Sequence, residues 1–268
     1  MVGQTQYDFS GETAIVTGST KGIGRGIAAG LADADANVVV NSRTESAVDT
    51  VATELAERGE GRVVGISADV GSTDDIDALV DRTIDEFGQI DLLVNNAAVW
   101  PEEDSLVDAD IEDWDRTIDV NVRAQFYAAK RVARHMIDEG IEGCIVNHTS
   151  QAGDRRTGPF GLYGISKTSI NGLTWRMAKE LAEHGIRMNA ISTDVTETAQ
   201  TRYEAEQEAE NDPDRTAEEI LLARGEQRPL GRLGQPDDLA DAVLWLASDR
   251  AEYVVGDILR VSGGGNLE

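Results

Sequence analysis

The run Glu12-Thr-Ala-Ile-Val-Thr-Gly-Ser-Thr-Lys-Gly-Ile-Gly24 decides the fold. Its first residues are apolar and β-branched and predict a short buried strand. The three glycines predict a tight turn, and the small residues that follow predict a helix to about Ala34. The N-terminus of such a helix offers free backbone N–H groups to a pyrophosphate. Taken alone, the glycine cluster is equally typical of a simple tight turn.

Strand and helix patterns alternate along the rest of the chain. The further predicted strands are Asn37–Val40, Val63–Ser67, Leu92–Asn95, Cys144–Asn147, Ile186–Ile191 and Asp257–Val261. The helices between them show N-terminal signals, namely Ser72, the pair Thr216 and Glu219, and Pro236. We therefore predict an α/β fold, a doubly wound parallel sheet of about seven strands with helices on both faces, forming one domain over residues 1–268.

The composition fits a chain with one substantial core. It has 268 residues, of which 40% are hydrophobic. No apolar run is long enough to span a membrane, and the polar N-terminus resembles no secretion signal, so we expect a cytoplasmic protein without a membrane partner. The single cysteine, Cys144, lies in an apolar run, which favours core packing over reactivity. We predict no metal site.

The charge balance is strongly acidic. The chain carries 50 acidic and 24 basic residues, a formal net charge of −26, and its lysines are Lys21, Lys130, Lys167 and Lys179. Such a charge argues against nucleic acid as a partner, because phosphate contact requires a basic patch. The acids are spread over many predicted helices, a composition that resembles salt-adapted proteins of halophiles. Self-repulsion at this charge destabilises a compact state unless salt screens it.

The end of the second predicted strand favours one nicotinamide cofactor over the other. An NAD site would place an acid there, on the ribose 2′-hydroxyl, whereas this chain has Ser42 and Arg43. Lys21 in the glycine turn adds a second cation. We therefore interpret these residues as a pocket for a 2′-phosphate and predict NADP(H); the alternative is an ordinary surface arginine.

A tyrosine and a lysine provide the candidate chemistry. Tyr163 and Lys167 are four residues apart and project from one face of a predicted helix. An ammonium beside a phenol is expected to lower the phenol pKa from its ordinary value near ~10. Ser150 follows the fifth predicted strand and offers a hydroxyl to a carbonyl oxygen. A surface helix with a chance Tyr-xxx-Lys pattern is the alternative.

Together these motifs resemble the short-chain dehydrogenase/reductase family over nearly the whole chain, which implies a Rossmann-like fold. The resemblance implies a catalytic tetrad of Asn121, Ser150, Tyr163 and Lys167, in which Tyr163 transfers a proton and Asn121 holds a water linked to Lys167. The implied cofactor-binding residues are Thr17, Gly18, Ser19, Thr20, Lys21, Gly22, Ile23, Gly24, Ser42, Arg43, Asp69, Val70, Asn95, Ala97, Tyr163, Lys167, Val195 and Thr198.

Two positions depart from the family pattern. Ala98 replaces the usual glycine of the strand-four motif, for which we expect slight repacking. Thr193 and Asp194 replace the usual Pro-Gly after the sixth strand. The resemblance implies that the following segment, with Val195 and Thr198, receives the nicotinamide carboxamide. Aspartate tolerates a left-handed backbone better than most residues, so we expect this loop to survive.

The substrate is less constrained than the reaction. The segments at 228–232 and 262–265 resemble 3-oxoacyl reductases and sugar dehydrogenases, and we expect a sugar or polyol because an acyl carrier requires basic residues at the entrance. An acidic helical segment at about 196–228 is either a substrate lid or a solvated excursion. His148 is either a core histidine or a substrate contact. A non-catalytic NADP(H)-binding regulator is the third alternative. The resemblance implies a homotetramer formed by helices near Trp114–Met136 and Tyr163–Glu183.

Overall fold

A computed structural model describes residues 6–101, 105–154, 161–212, 214–265 and 267. Within these residues seven strands form one parallel sheet in the order β3-β2-β1-β4-β5-β6-β7. The strands are β1 (Thr13–Val16), β2 (Asn37–Ser42), β3 (Val63–Ser67), β4 (Leu92–Asn95), β5 (Cys144–Ser150), β6 (Arg187–Thr193) and β7 (Ile258–Val261). The predicted doubly wound parallel sheet is confirmed.

Helices connect the strands. They are α1 (Gly22–Asp33), α2 (Glu45–Leu55), α3 (Thr73–Phe87), α4 (Ile111–Ile118), α5 (Ala124–Glu139), α6 (Gly161–Leu181), α7 (Ala199–Asn211), α8 (Ala217–Glu226) and α9 (Pro236–Ala247). A π-helical turn, Asp119–Arg123, joins α4 to α5. None of the described helices has the length and apolarity needed to cross a membrane.

The predicted helix starts are present. The Ser72 side chain accepts the backbone N–H of Asp75 at the start of α3, and Thr216 and Glu219 form a reciprocal capping box at α8. Strands β2, β5 and β6 extend beyond their predicted ends. The added residues are polar and follow the apolar runs, so the hydrophobic pattern underestimates the strands where they reach the cleft.

Two apolar layers cover the sheet. On one face α1, α2 and α9 pack against the strands through residues such as Ile27, Val51 and Val243. On the other face α3, α5 and α6 pack through residues such as Leu79 and Val132. Cys144 lies in the first of these layers, with α1, α2 and α9, and is 3% exposed. Burial raises the pKa of its thiol to about 11, which fits the packing role predicted for it.

The order in which successive strands are added to the sheet reverses between β1 and β4. Strands β1, β2 and β3 extend to one side of this point, and β4 to β7 extend to the other. Loops that leave β1 and β4 therefore diverge and open a crevice at the carboxyl ends of the strands. The glycine turn, Ser42, Asp69 and the residues after Asn95 all belong to this edge.

Helices α7 and α8 form an excursion between β6 and α9. They share a small apolar cluster of Ala205, Ile220, Leu221 and Leu233. Their outer surface carries ion pairs, including those of Arg224 with Glu204 and Glu208. The excursion leaves from the carboxyl end of β6, which places it beside the crevice.

The acidic surface makes a testable prediction about salt. Ion pairs such as Arg25–Glu54 join exposed side chains, and such pairs stabilise proteins little. The Debye length falls from about 10 Å at 0.1 M to about 3 Å at 1 M salt. We expect the melting temperature, measured by scanning calorimetry, and subunit association, measured by sedimentation, to rise over this range of KCl. A melting temperature that is flat or falls with salt would show that the arginines offset the acids locally.

Candidate active site

The glycine turn packs directly against the loop after β4. Gly18 has a φ of +64°, and a Cβ there would lie 2.9 Å from the Cα of Ala97. A Cβ on Gly24 would lie 2.4 Å from the Nδ2 of Asn96 and 2.5 Å from the carbonyl oxygen of Gly18. Both positions therefore require glycine, one for conformation and close approach, the other for close approach alone.

Hydrogen bonds lock the same two segments together. The Thr17 hydroxyl accepts the backbone N–H groups of Asn96 and Ala97 at 3.0 and 3.1 Å. The Asn96 amide donates to the carbonyl oxygens of Thr17 and Gly18 at 2.8 and 3.1 Å. These bonds join β1 to β4 at the point where the crevice opens. The sequence motif drew attention to Asn95, and the side chain of Asn96 was missed.

A cleft of about 430 Å³ follows this edge of the sheet. The predicted cofactor-binding residues that line it are Gly18, Thr20, Lys21, Gly22, Ile23, Gly24, Ser42, Arg43, Asp69, Val70, Ala97, Tyr163 and Thr198. Trp100, His148 and Gln200 line it as well. These residues come from segments far apart in the chain and form one contiguous surface.

Other predicted cofactor-binding residues lie outside the cleft lining. The Ser19 hydroxyl is buried and donates to the carbonyl oxygen of Val16. The Asn95 amide is turned into the core, where it donates to the side chain of Asn147. Val195 packs against the apolar cluster of α7 and α8, and Thr17 acts through the bonds already described. These four side chains support the residues that line the cleft and do not line it themselves.

Two cations lie at the β2 end of the cleft. Arg43 and Lys21 are both exposed and both line it, and Ser42, the last residue of β2, directly precedes Arg43. Within the described part of the chain neither forms an ion pair. A free guanidinium suits a phosphate because it presents several N–H donors in one plane. The start of α1, the glycine turn and these cations fit a phosphorylated dinucleotide.

Lys167 is buried beneath the other end of the cleft. The residue is 1% exposed, and its Nζ donates to the carbonyl oxygen of His148 at 2.8 Å. The Nζ lies 5.3 Å from the centre of the Tyr163 ring. Burial lowers the pKa of Lys167 to about 7, because the ammonium is poorly solvated. A buried amine one helical turn from the phenol agrees with the predicted Tyr–Lys pair.

Burial also controls Tyr163. It raises the pKa of the phenol to about 12, and a hydrogen bond with Ser150 acts in the opposite direction. The expectation that Lys167 holds this pKa below its ordinary value is therefore wrong for the structure as it stands. Helical spacing brings the amine close, but the desolvation of the phenol is the largest effect on its pKa.

Asn121 lies in the π-helical turn and is fully buried. Its amide oxygen accepts the backbone N–H of Val99 at 2.8 Å, and its Nδ2 donates to the Val99 carbonyl oxygen and to the Ser166 hydroxyl. The side chain thus ties the loop after β4 to α6, the helix that carries Tyr163. Turns of this kind recur at functional sites. The water-holding role implied by the resemblance stays a prediction.

His148 is a neutral, fully bonded histidine. The Asn96 amide donates to backbone carbonyls, so its oxygen faces the His148 ring at 3.0 Å, and Nδ1 must carry the proton. Nε2 then accepts the Thr193 hydroxyl at 3.1 Å. Burial, with a smaller contribution from Lys167, lowers the pKa of His148 to about 3. The core interpretation of this residue is the better one, although the ring reaches the cleft.

Trp100 is a site residue that sequence reasoning missed. Its ring lies 4.1 Å from the Tyr163 ring, centre to centre, at an angle of 31°. The indole is 55% exposed and lines the cleft beside the phenol. The available signal was its place five residues after β4, at the carboxyl edge of the sheet.

Known proteins match this chain closely. The family described as Enoyl-(Acyl carrier protein) reductase matches residues 18–266. "Dehydrogenase/reductase SDR family member 4" of Caenorhabditis elegans is 37% identical over 258 residues, covering 96% of this chain and 95% of that protein. "Glucose 1-dehydrogenase 2" of Bacillus subtilis is 35% identical over 261 residues, covering 97% and 96%.

A solved structure agrees with these relatives. L-Sorbose reductase from Gluconobacter frateurii, complexed with NADPH and L-sorbose, aligns with a TM-score of 0.92 and 28% identity, covering 97% of this chain and 98% of that one. These comparisons agree with the fold, with the buried lysine beside the tyrosine and with the glycine turn packed against β4. The chain belongs to the short-chain dehydrogenase/reductase family, whose members are oxidoreductases acting on CH–OH groups.

Proposed function

We propose that this protein is an NADP(H)-dependent oxidoreductase that interconverts a secondary alcohol and a carbonyl, with a sugar or polyol as substrate. The observation that carries the proposal is the difference in chemistry between the two ends of the cleft. One end holds the free cations Arg43 and Lys21, and the other holds Tyr163, bonded to Ser150 and backed by the buried Lys167. A phosphorylated dinucleotide and a carbonyl compound fit such a cleft in one orientation.

The chain's own residues have distinct tasks in this reaction. The nicotinamide of a bound cofactor supplies or accepts the hydride. Ser150 donates a hydrogen bond to the oxygen of the reacting carbon and stabilises charge that develops there. Tyr163 gives that oxygen a proton during reduction and takes it back during oxidation. Lys167, protonated, stabilises the phenolate and thereby makes the proton transfer easier.

Three observations favour a sugar or polyol over a 3-oxoacyl thioester. The excursion beside the cleft is rich in glutamate, which repels the phosphates of an acyl carrier. Arg228 and Arg232, in the segment that resembles 3-oxoacyl reductases, are engaged by Asp194 and Asp238. The aligned L-sorbose reductase was solved with a sugar. The 3-oxoacyl thioester remains the second candidate, favoured by the acyl carrier protein in the description of the matching family.

A non-catalytic NADP(H) sensor is the third candidate. Such a sensor requires the glycine turn and the cations, but it has no physical need for a lysine buried beneath a tyrosine. Burying an amine is unfavourable unless its interactions compensate, so an unused Lys167 would be a poor choice. Turnover of the cofactor with any carbonyl compound separates an enzyme from a sensor.

The proposal extends to the organisation of the protein. We propose one domain over residues 1–268, in which the segment at 196–228, including α7 and α8, acts as a lid that includes the cleft residues Thr198 and Gln200. We also propose a homotetramer, in keeping with the exposed aromatic side chains of Trp114, Phe126 and Trp175 on α4, α5 and α6.

A substrate screen tests the proposed reaction. Aldoses and polyols with NADP+, and 3-oxoacyl thioesters with NADPH, are incubated with the protein at molar KCl, and the absorbance of the reduced nicotinamide is followed. We expect turnover with the sugar or polyol set. We expect Tyr163→Phe to keep cofactor affinity and to lose about 10²–10⁴-fold in kcat, the contribution of proton transfer by a positioned side chain.

The matched control is Tyr253→Phe, which removes a hydroxyl from a fully exposed side chain outside the cleft lining and should leave kcat unchanged. Turnover by thioesters alone would select the second candidate. Retention of a tenth or more of kcat by Tyr163→Phe would remove this residue from the proton-transfer role.

The cofactor preference has its own test. We expect Arg43→Ala to raise KM for NADP(H) about ten- to hundredfold while KM for NAD(H) changes little, because a charge-assisted hydrogen bond contributes about 1.5–3 kcal/mol. Arg25→Ala is the control, since Arg25 lies on α1 and pairs with Glu54 away from the cleft. Equal kcat/KM for the two cofactors in the unmodified protein would contradict the 2′-phosphate pocket.

A further inference from the structure

The loop after β6 is held by an ion pair between residues 34 positions apart. The Arg228 Nε donates to Asp194 Oδ2 at 2.7 Å, and its Nη2 donates to Oδ1 at 3.1 Å. The two side chains are 13% and 12% exposed, which makes this the most buried ion pair among the described residues. A two-point bond between planar groups fixes direction as well as distance.

Arg228 connects this loop to the end of the α7–α8 excursion. Its guanidinium also donates to the carbonyl oxygen of Arg224, in the last turn of α8. On the other side of the carboxylate, a Cβ on Gly265 would lie 2.3 Å from Asp194 Oδ2. The carboxylate is thus enclosed between the excursion and the C-terminal glycine turn, and it has little room to move.

The backbone beyond Asp194 leads back to the cleft. Val195 accepts the N–H of Gly234 at 3.2 Å, and Glu197 donates to the Gly234 carbonyl oxygen at 2.8 Å. Thr198 follows and lines the cleft opposite the glycine turn, where a Cβ on Gly22 would lie 3.4 Å from its methyl carbon. The Val195–Thr198 segment is therefore held at two places, by Gly234 along its length and by the anchored Asp194 directly before it.

We propose that Asp194 and Arg228 are positioning residues that set the nicotinamide end of the cofactor site. The two side chains do by ion pairing what a Pro-Gly turn would do by backbone geometry. The inference rests on the proposed NADP(H) function. Arg43 follows β2 and Asp194 follows β6, and β1, β4 and β5 lie between these two strands in the sheet. Loss of the pair therefore affects the nicotinamide half of the cofactor and leaves the adenosine half, at Arg43, in place.

Two ligands separate positioning from a general structural role. NADP+ uses the whole cleft, whereas 2′,5′-ADP carries the adenosine half and the 2′-phosphate without a nicotinamide. Isothermal titration calorimetry at molar KCl measures both affinities without catalysis. The variants are Asp194→Asn, which removes the charge, and Arg228→Lys, which keeps the charge and loses the planar fork. Asp77→Asn, which breaks a partly buried ion pair with Arg131 outside the cleft lining, is the control.

We expect Asp194→Asn to weaken NADP+ binding at least about tenfold, the loss of one charge-assisted bond. We expect Arg228→Lys to weaken it severalfold. Affinity for 2′,5′-ADP should stay within about twofold in both, since distant sites are nearly independent. If Asp194→Asn fails to fold, Arg228→Lys decides the question, because it leaves no buried charge without a counter-ion.

Equal weakening of both ligands, or no weakening of NADP+, would overturn the positioning role while the proposed function stands. Failure of the unmodified protein to bind 2′,5′-ADP would overturn the NADP(H) function, and this inference with it.

Discussion

The burial of the Lys167 amine is the constraint on which the rest of the site depends. An ammonium that is 1% exposed loses its hydration, and one carbonyl oxygen, that of His148, replaces part of it. Burial lowers the pKa of this amine to about 7, so its charge near neutral pH is sensitive to charged groups in the cleft. Such an amine requires β5 to end beside α6, and Asn121 holds α6 against the loop after β4. A charged ligand in the cleft would therefore be expected to change the protonation of the Lys167 amine.

The two halves of the cleft are joined by a chain of neutral hydrogen bonds. Asn96 bonds to the glycine turn and to His148, and His148 bonds to Thr193 at the start of the loop after β6. Every donor and acceptor in this chain has a fixed direction, because the Asn96 amide determines which ring nitrogen of His148 carries the proton. The proposed 2′-phosphate end and the proposed nicotinamide end are therefore connected by groups that do not titrate near neutral pH.

Much of this arrangement was predictable from the sequence, and what was not has a physical reason. Apolar runs and glycines predicted the strands, strand ends predicted Arg43 and Ser150 along one edge, and helical spacing paired Tyr163 with Lys167. The upward shift of the Tyr163 pKa was missed because the desolvation of a side chain depends on neighbours, such as Trp100, that no local sequence pattern reveals. Asn95 was named through the family resemblance and Asn96 was not, because a sequence motif does not say which of the two side chains bonds to the glycine turn. The Asp194–Arg228 pair was missed because nothing local links residues 34 positions apart.

The ionisation of Tyr163 tests the central claim, that burial keeps this phenol protonated until a ligand binds. The difference in ultraviolet absorbance between the unmodified protein and Tyr163→Phe isolates this phenol from the other tyrosines across a pH titration at molar KCl. An ordinary tyrosine is half-ionised near pH ~10. We predict that Tyr163 is still protonated at that pH in the free protein, in keeping with a pKa of about 12, and that saturating NADP+ brings its midpoint down. Half-ionisation near pH ~10 that NADP+ leaves unchanged would contradict the claim.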